Sequence, residues 1–212
     1  MIQLNDMIAQ LDFTKDFVLE DDCVLMQPIK PNDAVLLHEF AINEPDIWKY
    51  SLIPANGADN MNQYITTAIT ARNELKEYPF IVFDKRSKEY AGSTRFYDIQ
   101  LNHQTLQLGY TWYGKKFQGS GLNVHCKYLM LQFAFEQMNM VRVEFRADTN
   151  NARSIAAMKK IGCKEEGILR SNMKKADGSR RSSIVLSILK DEWFGGIQQN
   201  LVMQIQQLQS SK

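Results

Sequence analysis

Cysteine is scarce in this sequence. Only Cys23, Cys126 and Cys163 occur in 212 residues. Their number is odd and their spacing wide, so neither a disulfide framework nor a metal-ligand pattern is expected. Proline is rare as well, at five residues. No linker, repeat or low-complexity segment divides the chain, and one mixed α/β domain is the economical reading. No stretch approaches the roughly 20 apolar residues that a membrane helix needs. The opening MIQLNDMIAQLDF lacks the basic segment and apolar run of a signal peptide. Neither sign of charge dominates: the formal net charge is +1, and no basic field argues for direct binding of nucleic acid. These absences leave a cytoplasmic protein without a membrane partner as the expectation. What is present fits a globular core, with 44% hydrophobic and 23% charged residues.

Taken in order, residues 1–16 read as an amphipathic lead-in. Strand material follows at Phe17–Leu19 and Val24–Ile29 around a turn at Asp21-Asp22. Pro31-Asn32-Asp33 offers a cap for a first helix, which Glu44-Pro45 stops. After a loop with Pro54 and Gly57, Met61–Leu75 reads as a second helix with Asn60 as cap. Phe80–Phe83 is an unbroken apolar run, as in a strand buried on both faces, and Tyr90–Ile99 continues the sheet. Val141–Ala147 alternates strictly. Asn151 caps a helix that runs to Ile161 and ends at Gly162. Cys163–Leu169 and Ser182–Leu189 form a hairpin through Asp177-Gly178. Beyond Trp193, the glutamine-rich tail 194–212 forms a helix that either docks on the domain or supplies a dimer contact.

The central stretch is LQLGYTWYGKKFQGSGLNVHCKYLMLQFAFEQ, residues 106–137. Leu106, Leu108, Tyr110 and Trp112 alternate as in a strand. Leu122, Cys126, Leu129, Met130 and Phe133 recur at helical spacing and predict one buried stripe. Between them lies Lys116-Phe117-Gln118-Gly119-Ser120-Gly121. A glycine turn opening a helix exposes amides that lack intrahelical acceptors and adds the positive end of the helix dipole. That combination can cradle a phosphate; an ordinary strand-to-helix turn is the alternative.

The order strand, glycine turn, helix, strand, N-x-x-S helix, strand resembles the GNAT superfamily of N-acetyltransferases. GYTWYGKKFQGSGLN, VRVEFRADTNNARSIAAMKKIGCKEEGILR and DGSRRSSIVLSILKDEW are most similar to its RimJ/RimL-like branch, which acetylates ribosomal-protein N-termini. The resemblance implies an α/β (α+β mixed) fold over residues 17–193: a mixed, mostly antiparallel sheet splayed between its fourth and fifth strands and flanked by helices. It implies acetyl-CoA as cosubstrate, with no metal. The pyrophosphate would lie on Gln118, Gly119, Ser120, Gly121, Leu122 and Asn123, near Lys116 and Phe117. The backbone of Tyr110, Thr111 and Trp112, splayed from Val143–Ala147, would hold the pantetheine arm. Asn151 and Ser154 would lie beside its sulfur, with Ser154 as proton donor to the leaving thiolate. Lys116 stands where many members carry Arg or Gln, and gives charge without a bidentate fork.

Gln107 occupies the place where RimL-like relatives often carry a general-base Glu. It accepts a hydrogen bond but not a proton. His125 stands where close relatives tend to have Glu and is expected to be solvated or on the cofactor side. Glu144 and Asp98 are other base candidates and read as solvent-facing strand positions. A peptide α-amine, with a pKa of roughly 8, holds a neutral fraction without help that a lysine at about 10.4 does not. The expected acceptor is therefore a peptide or protein N-terminus, with polyamines, aminoglycosides and other small amines as alternatives. A non-catalytic acetyl-CoA binder is the reading that Gln107 keeps open. Trp48 and Tyr50 either wall the acceptor site or pack. Lys174, Lys175, Arg180 and Arg181 read as a charged, solvated hairpin tip.

Overall fold

A computed structural model describes residues 12–175 and 177–210. Among these, eight strands form one sheet in the order β1-β2-β3-β4-β5-β6-β8-β7. They are β1 (Leu19–Glu20), β2 (Val24–Pro28), β3 (Tyr78–Asp84), β4 (Glu89–Gln100), β5 (Thr105–Tyr113), β6 (Arg142–Asp148), β7 (Lys164–Lys174) and β8 (Arg180–Leu189). Every neighbouring pair is antiparallel except β5–β6. The sheet is thus mixed and mostly antiparallel, as expected. The expected lead-in lies outside the described residues as far as residue 11; from there Lys15 N closes a turn on Asp12 O.

Side-chain alternation divides the sheet into two faces. Helices α1 (Asp33–Asn43) and α2 (Ala58–Asn73) cover the first, where Phe40 meets Trp112 and Tyr64 reaches the Tyr110 carbonyl. Helix α3 (Leu122–Gln132) runs into a π-helical turn, Phe133–Gln137, and covers the second. There Phe133 stacks on Phe96, and the Thr94 hydroxyl lies 3.6 Å from the Met130 sulfur. Helix α4 (Ala152–Lys160) packs on β6. The short α5 (Lys190–Glu192) leads through a kink at Gly196 into α6 (Gln198–Ser210). The tail docks on the domain: Leu201 is fully buried and Leu208 packs on the core.

Two local expectations change. Helix α2 starts at Ala58, because Gly57 takes φ +88°, a conformation that glycine reaches without a steric penalty. Asn60 lies inside the helix and donates back to Asn56 O at 2.7 Å. Helix α3 is buried nearly all round: His125 is 1% and Lys127 5% exposed. Periodicity announced one stripe against the sheet, but α6 and the β1–β2 segment cover further faces of the same helix.

At Gly92 the backbones of β4 and β5 leave no room for a side chain. A Cβ there would sit 2.1 Å from the Trp112 carbonyl oxygen, and the backbone is at φ +153°. Gly92→Ala is therefore expected to prise β4 from β5 and to cost about 3 kcal/mol or more. Urea unfolding of the variant against the parent checks this, with an unchanged midpoint as the contrary result.

Candidate active site

Strands β5 and β6 begin as parallel partners and then part. Pairing runs through Thr105↔Arg142, Leu106↔Val143 and Gln107↔Glu144 and stops there. Beyond that point β6 stays paired with β8 as far as Asp148↔Ser183, so only its β5-facing edge is free. Strand β5 stays on β4 but bulges between the Arg95↔Gly109 and Ser93↔Trp112 pairs. Tyr110 sits in the bulge at φ +48°. The cleft is the splay that the family resemblance implied. It falls between the fifth and sixth strands, because the Asp21-Asp22 turn splits off the two-residue β1.

Thr111 pins the bulge from the α3 side. Its hydroxyl lies 2.7 Å from that of Thr94 and accepts from Lys127 Nζ at 2.8 Å. The Lys127 ammonium also lies 5.9 Å from the Phe145 ring centroid, between the two parted strands. Burial depresses its pKa to about 8, against smaller upward pulls from Cys126 and Cys163. Burial in turn pushes both of those thiols up to about 12, so neither is an activated nucleophile. No sequence pattern singled out Lys127, because a lysine on a helix reads as solvated until the helix is seen to be enclosed.

The glycine turn follows the end of β5 and opens α3. Gly119 and Gly121 take φ +80° and +86°. The amides of Gly119, Gly121 and Asn123 make no hydrogen bond among the described residues. A Cβ on Gly119 would meet open space, whereas one on Gly121 would lie 2.8 Å from Leu208 of α6. Arg86, paired with buried Asp84 at 2.6 Å, donates to Ser120 O at 3.2 Å and braces the turn from behind. Gln118 donates to Tyr113 O at 2.7 Å and accepts from Arg153 at the start of α4. Not every expected ligand residue offers its side chain. Phe117 and Leu122 are buried, Phe117 against Phe40, and Trp112 points to the other face of the sheet. Lys116 is bound to Glu89 at 2.6 Å, which offsets its charge. At α4, Asn151 is the cap: its Oδ1 accepts from Ser154 N at 3.1 Å, and the Ser154 hydroxyl has no hydrogen-bond partner among the described residues.

At the last pair before the cleft, Gln107 is 6% exposed. Its Nε2 donates to Asp98 Oδ2 at 2.7 Å, which fixes the amide and leaves Oε1 buried without a partner among the described residues. Glu144 is not solvated as expected but held by Arg142 and Arg146 at 2.8 and 2.7 Å. His125 is not solvated either. It is buried, and its Nδ1 lies 2.5 Å from Asp21 Oδ2. Burial works to raise the Asp21 pKa, but His125 and the amides of Cys23 and Val24 outweigh it and hold the carboxyl below its usual value. Ligand atoms of Asp21, Cys23 and His125 fall within 4.8 Å of one another, a grouping that no sequence spacing announces. Trp48 takes the packing alternative, and Arg181 departs from the expected solvated hairpin tip. Trp48 is buried with its ring 4.7 Å from Trp112, and Arg181, 8% exposed, reaches Tyr50 O at 3.4 Å instead of solvent.

Comparison with known proteins agrees with this geometry. The family model described as Acetyltransferase (GNAT) domain matches residues 24–164. YdaF of Bacillus subtilis (strain 168), provisionally named a ribosomal N-acetyltransferase, is 26% identical over 81% of this chain and 94% of its own. A crystal structure from T. thermophilus, provisionally assigned as an acetyltransferase, superposes with a TM-score of 0.80 at 28% identity, covering 88% of this chain and 96% of that one. The ribosomal-protein-S5-alanine acetyltransferase of Vibrio fischeri shares the fold at a TM-score of 0.68 and 18% identity, covering 84% of this chain and 99% of that one.

The buried lysine makes stability depend on pH. The Lys127 pKa falls from 10.5 to about 8 on folding. Between those values the unfolded chain holds a proton that the fold has shed, so stability rises with pH across that window. Below it the full penalty of a buried charge persists. Lys127→Met is expected to be more stable than the parent at pH 7, by roughly 3 kcal/mol. The gap should close as pH climbs from about 8 to 10.5. Thermal melts at a series of pH values read this directly, and a pH-independent gap would contradict it.

Proposed function

The chain belongs to the GNAT family of acetyltransferases and is an acetyl-transferring enzyme; from that premise, we propose that it moves an acetyl group from acetyl-CoA to a peptide or protein N-terminal amine by direct transfer. One observation carries the reading: β5 and β6 part after Gln107↔Glu144, on the strand that runs from the buried Gln107 amide toward the glycine turn. Acetyl-CoA would supply the acetyl group as an activated thioester. The chain's own residues do the rest. The free amides of Gly119, Gly121 and Asn123, with the positive end of α3, suit a pyrophosphate. The unpaired edge of β5 at Leu108–Trp112 suits the amides of a pantetheine arm, as an added strand would. Ser154, its hydroxyl free, is suited to donate a proton to a departing sulfur. A backbone N–H at the Tyr110–Thr111 bulge is the candidate donor to the developing oxyanion.

Gln107 determines how the amine is handled. Its Oε1 can accept an N–H from the amine and orient the lone pair, but cannot take a proton at neutral pH. The enzyme then acts on acceptors that are already neutral. This favours an α-amine, with a pKa of roughly 8, over a lysine side chain, and is the support for a protein N-terminus over polyamine acceptors. The name of YdaF points the same way.

Two outcomes follow. Gly119→Val should weaken acetyl-CoA binding at least roughly tenfold, and because valine is strained at φ +80° it should also lower stability. Nothing lies within 4 Å of its Cβ, and the side chain would crowd the exposed amides instead. Calorimetry of the variant tests this, and an unchanged affinity would remove the phosphate from the turn. The second concerns pH. The kcat/KM of the parent should rise along the titration of the acceptor amine, near pH 8 for a peptide, and the inflection should move with acceptor pKa. An inflection fixed across acceptors would instead mean that a protein base is at work.

A further inference from the structure

Nine buried side-chain polar atoms have no hydrogen-bond partner among the described residues, and six of them lie in one patch. They are Trp48 Nε1, Trp112 Nε1, Arg95 Nε, Arg95 Nη2, Ser93 Oγ and Gln107 Oε1. Ser93 and Arg95 share a face of β4, and in the β4–β5 register Ser93 lies opposite Trp112 and Tyr97 opposite Gln107. The patch is continuous. Trp112 meets Trp48 at 4.7 Å, Trp48 meets Tyr64 at 6.0 Å, and the Arg95 guanidinium lies between Tyr64 and Tyr110 at 4.7 and 4.4 Å from their centroids. Tyr97 completes it, 5.0 Å from Tyr110.

Each unmade hydrogen bond of this kind is destabilising, and native proteins keep them where a water or a ligand completes the set. The atom types define what is missing. Both indoles and the arginine can only donate, and Gln107 Oε1 can only accept. The complement therefore donates N–H at one end and offers oxygen acceptors at the other. A peptide N-terminus has this pattern, an amine followed by backbone carbonyls, whereas an alkyl diamine has no acceptor oxygen. Arg95 already pairs through Nη1 with Glu77 at 2.6 Å, so the patch calls for neutral carbonyls more than for a carboxylate.

We propose that the indole N–H groups of Trp48 and Trp112, with the free edge of Arg95 and the Ser93 hydroxyl, form a subsite for the backbone carbonyl oxygens of the acceptor peptide whose amine lies at Gln107. This rests on the reading of the chain as an N-terminal acetyltransferase and adds the groups that recognise the acceptor. The subsite is closed in the free protein, with Trp48 4% and Trp112 8% exposed. Tyr50, in the segment between Trp48 and α2, is held to β8 by the 3.4 Å Arg181 to Tyr50 O hydrogen bond. Binding requires Trp48 and Trp112 to become accessible.

Indole N–H resonances test this without relying on turnover. The chain has three tryptophans, and Trp193 is an internal control because its Nε1 already donates to Glu136 at 3.1 Å. The ¹⁵N-labelled protein is titrated with alanyl-alanyl-alanine amide and, separately, with 1,4-diaminobutane. The peptide should move the Trp48 and Trp112 signals downfield and leave Trp193 unmoved, and the diamine should move none. Trp48→Phe, which keeps a ring but removes one N–H, assigns its signal and should weaken peptide binding roughly tenfold. Absence of a peptide shift, an equal shift with the diamine, or long-lived water at both indoles that persists with peptide present would each overturn the subsite. Peptide-specific shifts with no thiol released from acetyl-CoA would leave the subsite standing and remove the transfer reading.

Discussion

Everything at this site depends on the loss of pairing between β5 and β6. The sheet runs unbroken in hydrogen bonds from β1 to Gln107↔Glu144, and then two backbone edges face each other unpaired. Unpaired backbone away from water is unfavourable, so the parting persists only because other interactions impose it. On one side the bulge at Tyr110 turns the β5 edge, and Thr94, Thr111 and Lys127 hold it by hydrogen bonds. On the other, β6 is committed along its whole length to β8. Neither strand can slide to close the gap without breaking an antiparallel ladder.

The same break separates two chemistries. The α3 side of the cleft has exposed amides, glycines with positive φ and a free serine hydroxyl. The α1–α2 side is aromatic, with buried donors that have no acceptors and a glutamine oxygen that has no donor. An anionic carrier suits the first and an amine followed by carbonyls suits the second. Lys127, enclosed between the strands, links the bulge to α3. Its buried charge is a stability cost accepted at the cleft, of a kind common where a fold is shaped by function.

Much of this was legible in the chain. Strict alternation in β6, the apolar run in β3, the Asp177-Gly178 turn and the glycine turn before α3 are local signals, each set by backbone sterics or periodicity within a few residues. The Asn151 cap is equally local, since its acceptor and donor lie three residues apart. The start of α2 was misplaced because Gly57 and Asn60 both carry start signals, and only φ at Gly57 decides between them.

By itself the sequence determined the element order, the glycine turn, and the absence of a carboxylate at position 107, because these are properties of neighbouring residues. Tertiary structure alone decided which polar groups are enclosed. Arg181 read as solvated, His125 as solvated or on the cofactor side, and Lys127 carried no signal, yet each is buried by a partner far away in sequence: the segment at Tyr50, the Asp21 turn, and the two parted strands. Burial is a property of what packs from outside, and charge, hydrogen-bond demand and proton affinity all follow from it. The residue types were present from the start; their chemistry depended on the dielectric and the partners that folding assigned to them.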